Sequence, residues 1–181
     1  MRFNLLCSNG NFSNNLSRDY CYAQKVSKPV KLDDIDRRIL TALQKSGRMS
    51  NSELAEKINL SASACHRRVQ RLETEGVIKN YVAMLDPRAV GRRTTVFVEI
   101  SLQGQADETL AAFEREVARV PDVLECHLMA GTADYLLKVV AADTDDYARI
   151  HRQHLARLPG VAQLQSSFAL RTVFKTTALP L

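Results

Sequence analysis

The sequence predicts an α+β chain in two parts: an N-terminal winged helix-turn-helix head, then a C-terminal ferredoxin-like β-α-β-β-α-β domain. Three observations carry this expectation. Residues 50–72 encode two short helices with a tight break between them. A seven-residue stretch, Val117-Ala118-Arg119-Val120-Pro121-Asp122-Val123, returns 38 residues later as Leu155-Ala156-Arg157-Leu158-Pro159-Gly160-Val161. Residues 94–102 set Val96, Val98, Ile100 and Leu102 against Thr95, Phe97, Glu99 and Ser101, the two-residue period of a half-buried strand.

Taken in order, residues 1–31 are rich in Asn and Ser and show neither helical nor strand period, which suggests a disordered extension or a mis-called start. Residues 32–46 read as a helix. Asp33 is its candidate N-cap, Asp36 lies in the dipole-favoured first turn, and Ile35, Ile39, Ala42 and Leu43 form its apolar face, with Gly47 as the stop. Ser50 and Glu53 have the spacing of a capping box, and Leu54, Ala55 and Ile58 make the next apolar stripe. Ser61 is a second N-cap, and Cys65, Val69 and Leu72 fall within one narrow arc at about 100° per residue. Residues 77–85 read as a strand, and the turn Asp86-Pro87 marks the domain boundary. Beyond it come a strand at 94–102, a helix capped by Asp107 with Leu110, Phe113 and Val117 inward, and strands at 123–129 and 135–140. A helix capped by Asp143 turns Tyr147, Ile150, His154, Leu155 and Leu158 inward, and a long last strand covers 161–176. The repeat offset also lays 94–102 over 132–140. Two helices cover one face of such a sheet. The other face, with Phe97 and Met129, needs cover, and a second copy of the chain is the simplest one.

The 181 residues carry a formal net charge of +5, unevenly placed. Residues 1–31 hold five basic groups and one acidic, 32–85 nine and seven, and 86–181 eleven and twelve. The basic character therefore lies in the first half, which favours a local polyanion contact. The four cysteines, Cys7, Cys21, Cys65 and Cys126, form no Cys-x-x-Cys pair, so a zinc or redox centre is not indicated. Usage of this kind suits a reducing cytoplasm. No apolar run has the length of a membrane span, and no secretory signal opens the chain.

The far side of the helix at 61–72 is the candidate functional surface. Ser63, Arg67, Gln70 and Arg71 lie opposite the apolar arc, His66 and Arg68 flank it, and no acidic residue occurs between Ser61 and Leu72. Small residues, Ser61, Ala62, Ser63 and Ala64, begin it, so its N-terminus can approach a phosphate closely. Arg and Gln make paired hydrogen bonds to guanine and adenine edges. The stretch alone is equally an ordinary helix hairpin with a solvated basic face. His151 and His154 are three apart on one helix, near Asp143, Asp145 and Asp146. These aspartates are better explained as helix N-terminal groups than as metal ligands, and no metal or other cofactor is expected. No nucleophile–base arrangement or phosphate-binding Gly loop occurs, so an enzyme is not expected. An RNA-binding ferredoxin-like domain would carry an aromatic-rich strand signature that is missing here.

Five motifs in order carry a family resemblance. They are Leu32-Asp33-x-Ile35-Asp36-x-x-Ile39-Leu40, Gly47-Arg48-Met49-Ser50-Asn51-x-Glu53-Leu54-Ala55, Leu60-Ser61-x-Ser63-x-Cys65-x-x-Arg68-Val69-x-Arg71-Leu72-Glu73, Glu125-Cys126-His127-Leu128-Met129-Ala130-Gly131-x-x-Asp134-Tyr135, and Leu158-Pro159-Gly160-Val161. From Leu32 onward the chain resembles the Lrp/AsnC, or feast/famine, transcription regulators. The resemblance implies a DNA-binding domain with connecting strand at 32–85, with Ser61, Ala62, Ser63, His66, Arg67, Arg68, Gln70 and Arg71 toward double-stranded operator DNA. It implies a ligand-binding and dimerisation domain at 86–181, a homodimer assembling to higher multimers such as an octamer, and a cytoplasmic, nucleoid-associated protein. The effector-response motif matches Gly131, Thr132, Ala133, Asp134 and Tyr135, with an amino acid as effector; Thr132 stands where many relatives are acidic. Chemically, Asp134 could take an α-ammonium and the amides of the Gly131–Ala133 turn an α-carboxylate, but without the resemblance the loop reads as a plain hairpin turn. The alternative function is an architectural, DNA-compacting protein whose second domain serves assembly only.

Overall fold

The structure is a computed structural model that describes residues 29–181. The expectation for residues 1–31 therefore falls, but for its last three positions, outside the described residues. The described chain divides into two compact units, one of residues 29–84 with Val173–Leu181 and one of Leu85–Thr172.

The first unit holds helices α1 (Asp34–Lys45), α2 (Asn51–Ile58) and α3 (Ala62–Thr74). Short polar residues set where each begins. Asp33 accepts from the Asp36 amide at 2.8 Å while Asp36 accepts from the Asp33 amide at 3.1 Å, and Ser50 and Glu53 exchange the same reciprocal bonds at 3.3 and 2.7 Å. Each box satisfies two backbone donors that the helix itself leaves free. Asn59, at φ 58°, ends α2 in the left-handed conformation that Asn tolerates better than branched residues do, and Ser61 caps α3 two positions on. The three amphipathic faces meet in one core of Ile39, Leu40, Leu54, Ile58, Cys65 and Leu72. Each buried Leu or Ile side chain contributes about 1.5–3 kcal/mol by removal from water.

Residues 77–85 do not form the expected strand. The amides of Val77 and Ile78 turn back onto the Leu72 carbonyl at 2.9 and 3.1 Å, and Val82, Met84 and Leu85 stand exposed. A strand needs a neighbouring ladder, and among the described residues this unit has none. The C-terminal residues also pack here: Gln44 donates from Nε2 to the Leu179 carbonyl at 3.2 Å and accepts from the Leu179 amide at 2.5 Å.

The second unit runs β1 (Thr94–Leu102), α4 (Asp107–Val117), β2 (Val123–Leu128), β3 (Tyr135–Ala141), α5 (Thr144–Gln153), a 3-10 turn at Leu155–Arg157, and β4 (Val161–Phe168). The sheet order is β2-β3-β1-β4, and every neighbouring pair is antiparallel. This is the expected ferredoxin-like β-α-β-β-α-β arrangement. Val96, Val98 and Ile100 of β1 and Leu137 and Val139 of β3 pack with Phe113, Val117, Tyr147, Ile150 and Leu155 in the core. Across the sheet, Phe97 faces outward opposite Lys138 and Ser167, and Lys138 pairs with Glu125 at 2.6 Å.

Three expectations are corrected. Helix α4 has Ala106 as N-cap with no side-chain bond, and Asp107 lies instead in the first turn, where the helix dipole favours it. The last strand ends at Phe168, not at 176, because β1 begins at Thr94 and Ala169 takes the final available acceptor, the Thr95 carbonyl, at 3.0 Å. The repeat offset of 38 holds for the helix ends, where Val117 and Leu155, and Val120 and Leu158, are all buried. It does not hold for the strands. Buried Val96, Val98, Ile100 and Leu102 correspond to buried Tyr135, Leu137, Val139 and Ala141, an offset of 39. A one-residue slip in a strand would turn every side chain to the wrong face, so the extra residue must be absorbed outside the strands.

Candidate nucleic-acid interface and effector loop

The apolar arc of α3 fixes which residues it presents. Cys65 and Leu72 are wholly buried and Val69 is half-buried. Ser61, Ala62, Ser63, His66, Arg67, Gln70 and Arg71 are exposed, and Arg68 is half-buried. The start of α3 is held by Asn51, whose Nδ2 donates to the Ala62 carbonyl at 2.8 Å, while Ser61 Oγ accepts from the Ala64 amide at 3.3 Å. His66 sits apart from the others, beside a cavity of about 150 Å³ that Leu43, Met49, Asn51, Leu54 and Tyr81 also line.

The arginines differ from one another in a way the helical wheel does not show. Arg68 donates from Nη1 to Asp36 Oδ1 and to Asp33 Oδ2, each at 2.8 Å. Arg71 donates from Nη2 to Asp36 Oδ2 at 2.5 Å. Asp36 is wholly buried, so a residue expected only as a first-turn acid is the shared anion of two arginines on another helix. The Asp33 carboxyl is held below its usual range by the Asp36 amide and by Arg68, and the Arg68 guanidinium is pushed further up by the two aspartates.

In the second unit, the loop between β2 and β3 closes with the Met129 amide on the Asp134 carbonyl at 2.8 Å. Gly131 and Thr132 are exposed and Ala133 half-buried; among the described residues the amides of these three have no acceptor in the chain. Asp134 is engaged from within: Oδ2 accepts from the Leu102 amide and Oδ1 from Gln105 Nε2, both at 2.7 Å. Tyr135 turns into the core, stacks against Phe113 with ring centroids 4.5 Å apart, and donates its hydroxyl to Glu114 Oε1 at 2.8 Å. Burial first, and then Glu114, push that phenol well above its usual pKa. Sequence reasoning missed Gln105 and Glu114, because both lie on other elements and only the folded chain brings them to the loop. Among the described residues no group of three metal-ligating side chains is present, and no helix is long and apolar enough to cross a membrane.

A helix-turn-helix with an outward Arg/Gln face, joined to a ferredoxin-like domain with a loop of open amides, defines a ligand-dependent class of DNA-binding regulator. Residues 32–79 match the winged helix-turn-helix DNA-binding family, and residues 95–179 match the Lrp/AsnC ligand binding domain. The Bkd operon transcriptional regulator of Pseudomonas aeruginosa is 42% identical over 152 residues, which is 84% of this chain and 99% of that protein. The leucine-responsive regulatory protein of Escherichia coli is 40% identical over 148 residues, 82% of this chain and 90% of that one. Among solved structures, a transcriptional regulator–L-Met complex from Neisseria meningitidis superposes with a TM-score of 0.79 at 36% identity, covering 83% of this chain and 97% of the other. A feast or famine regulatory protein from M. tuberculosis complexed with L-methionine gives 0.73 at 32%, covering 82% and 99%. The chain belongs to the Lrp/AsnC family of transcriptional regulators, and is a DNA-binding regulator rather than an enzyme.

Proposed function

We propose that the chain binds operator DNA as a homodimer, through α3 in the major groove, and that an amino acid held at the β2–β3 loop changes its assembly. The observation that carries the reading is the exposed face of α3. Ser63, Arg67 and Gln70 are all presented there while Cys65 and Leu72 fix the helix from behind. Arg67 and Gln70 are suited to guanine and adenine edges, and the Ser61–Ala62 end of the helix to phosphate. His66 stands at the flank, and Arg68 and Arg71 enter with their charge already met by Asp33 and Asp36.

For the effector, the open amides of Gly131, Thr132 and Ala133 support capture of an α-carboxylate. Asp134 contributes less directly than the sequence suggested, since both of its oxygens already accept hydrogen bonds. Two relatives are solved with L-methionine, which makes it the first amino acid to try. The open sheet face around Phe97 supports pairing with a second copy, and higher multimers such as an octamer would extend from such dimers. The site of action is the cytoplasm, at the nucleoid.

Titration of promoter and random-sequence duplexes at several salt concentrations tests the DNA reading. Tighter binding to the promoter at every salt supports a regulator, whereas equal affinities with a steep salt slope would favour an architectural, DNA-compacting protein. Thermal melting across the twenty amino acids tests the effector, because a ligand of the native state raises the melting temperature. No shift at millimolar concentration would remove that part. Sedimentation of Phe97→Lys tests the dimer, which the substitution should dissociate.

A further inference from the structure

We propose that Asp36 is a positioning residue that sets specificity: from inside the head it neutralises Arg68 and Arg71, so that, among the described residues, Arg67 is the one uncompensated guanidinium with which α3 meets DNA. This rests on the reading of α3 as the DNA-contacting helix. By sequence, the stretch from Ser61 to Leu72 carries three arginines and no acidic residue. The fold alters that sum. Asp36 is buried on α1, and each of its oxygens receives one guanidinium of α3, Arg68 on Oδ1 at 2.8 Å and Arg71 on Oδ2 at 2.5 Å. Asp33 adds a second carboxylate to Arg68 at 2.8 Å. Glu75 adds a further carboxylate 3.8 Å from Arg71 Nε, so the two cations stand against three anions and the group carries no net positive charge.

The consequence follows from how proteins bind DNA. Non-specific affinity comes from cations that displace counterions from phosphate, and sequence preference comes from contacts to base edges. Two arginines already matched by buried or half-exposed carboxylates add little to the first. Arg67 and Gln70 remain for the second. The same ion pairs fix the roll of α3 against α1, because both guanidinium groups point at one buried carboxylate.

The test uses the full-length protein with Asp36→Asn, a duplex enriched by the wild type from a random library, and a random duplex of equal length. Failure of the wild type to enrich any sequence would reject the specific-regulator reading itself, separately from the role of Asp36. With a binding sequence in hand, Asp36→Asn is expected to steepen the dependence of log K on log salt by about 0.9 for each head engaged. That is an extra loss of about 3.5-fold per head between 50 and 200 mM salt, or about 12-fold for a dimer with both heads engaged, with a gain on random DNA at low salt and a smaller specific-to-random ratio. Asp36→Asn/Arg71→Met should restore the wild-type slope. Asp33→Asn guards against a folding defect, since Asn is as good an N-cap as Asp, and it should steepen the slope in the same direction. If these variants are folded but show an unchanged or shallower slope, with weaker binding to both duplexes, Asp36 serves the fold alone and the proposal is overturned.

Discussion

The Leu102 amide, at the end of β1, donates to Asp134 Oδ2 in the β2–β3 loop at 2.7 Å. Gln105 donates to the other oxygen of the same carboxylate, again at 2.7 Å. One side chain thus ties the proposed effector loop to the segment that leads into α4. Asp134→Ala leaves a half-buried amide without its acceptor, which costs about 1–3 kcal/mol. Native-state hydrogen exchange should show the Leu102 amide losing protection while the centre of β1 keeps its own. Unchanged protection at Leu102 would mean the tie does not hold in solution.

Gly160, in the turn directly before β4, has a φ of 73°, and a Cβ built there would lie 2.8 Å from Thr109 Cγ2. The left-handed backbone costs a non-glycine residue about 1–2 kcal/mol, and the contact with Thr109 adds to it. Gly160→Ala should therefore lower the urea midpoint clearly. Adding Thr109→Ser removes the crowding methyl and should recover part of the loss, but not the part due to φ. Gly104→Ala is the control, because nothing lies within 4 Å of its Cβ position and its φ is not left-handed. Equal losses at 104 and 160 would contradict this account.

The elements legible in the sequence were those specified locally. Asp33, Ser50, Ser61 and Asp143 announce helix starts through bonds to residues three positions on, so a reader of the chain can find them. Alternation in β1 and the repeated helix ends are local too. What was not legible depends on long-range partners. Residues 77–85 have the composition of a strand but, among the described residues, no ladder to join. Arg68 and Arg71 meet Asp36 across 32 and 35 residues, a pairing no helical wheel can contain. Asp36 was hidden by its second role, since its place in a capping box already explains an acid there. Asp134 looked free for a ligand because Leu102 and Gln105, its actual donors, lie on another part of the chain.

Alkaline pH should loosen both units through two buried groups. Burial raises the Cys65 thiol above its ordinary 9.0, and burial with Glu114 raises the Tyr135 phenol above its ordinary 10.0. Each group then keeps its proton longer in the folded chain than in the unfolded one. The unfolded chain ionises first, so the stability these groups contribute is complete below their ordinary values and is lost as pH rises through and beyond them. Melting temperature should stay level around neutrality and fall from about pH 9 upward. Cys65→Ala should delay the early part of that fall for the head and leave the Tyr135 part in place. A melting temperature that rises over the same range would reverse the sign and reject the assignment.

Leu72 offers a test of whether the two units melt separately. Its side chain is wholly buried in the head core, and its carbonyl receives both the Val77 and Ile78 amides, so it fixes the end of α3 as well as its packing. Leu72→Ala removes the core contacts and leaves a cavity, a change that costs about 2–5 kcal/mol. The two hydrophobic clusters share no residue, which predicts that the loss stays in one of them. Hydrogen exchange followed by mass spectrometry should show α1, α2 and α3 exchanging faster while β1 to β4 keep their protection. Binding to DNA should weaken through the fraction of unfolded heads, yet an amino acid that stabilises the second unit should still shift its melting transition. Exchange rising equally across both units would show instead that the head and the second domain unfold as one cooperative body.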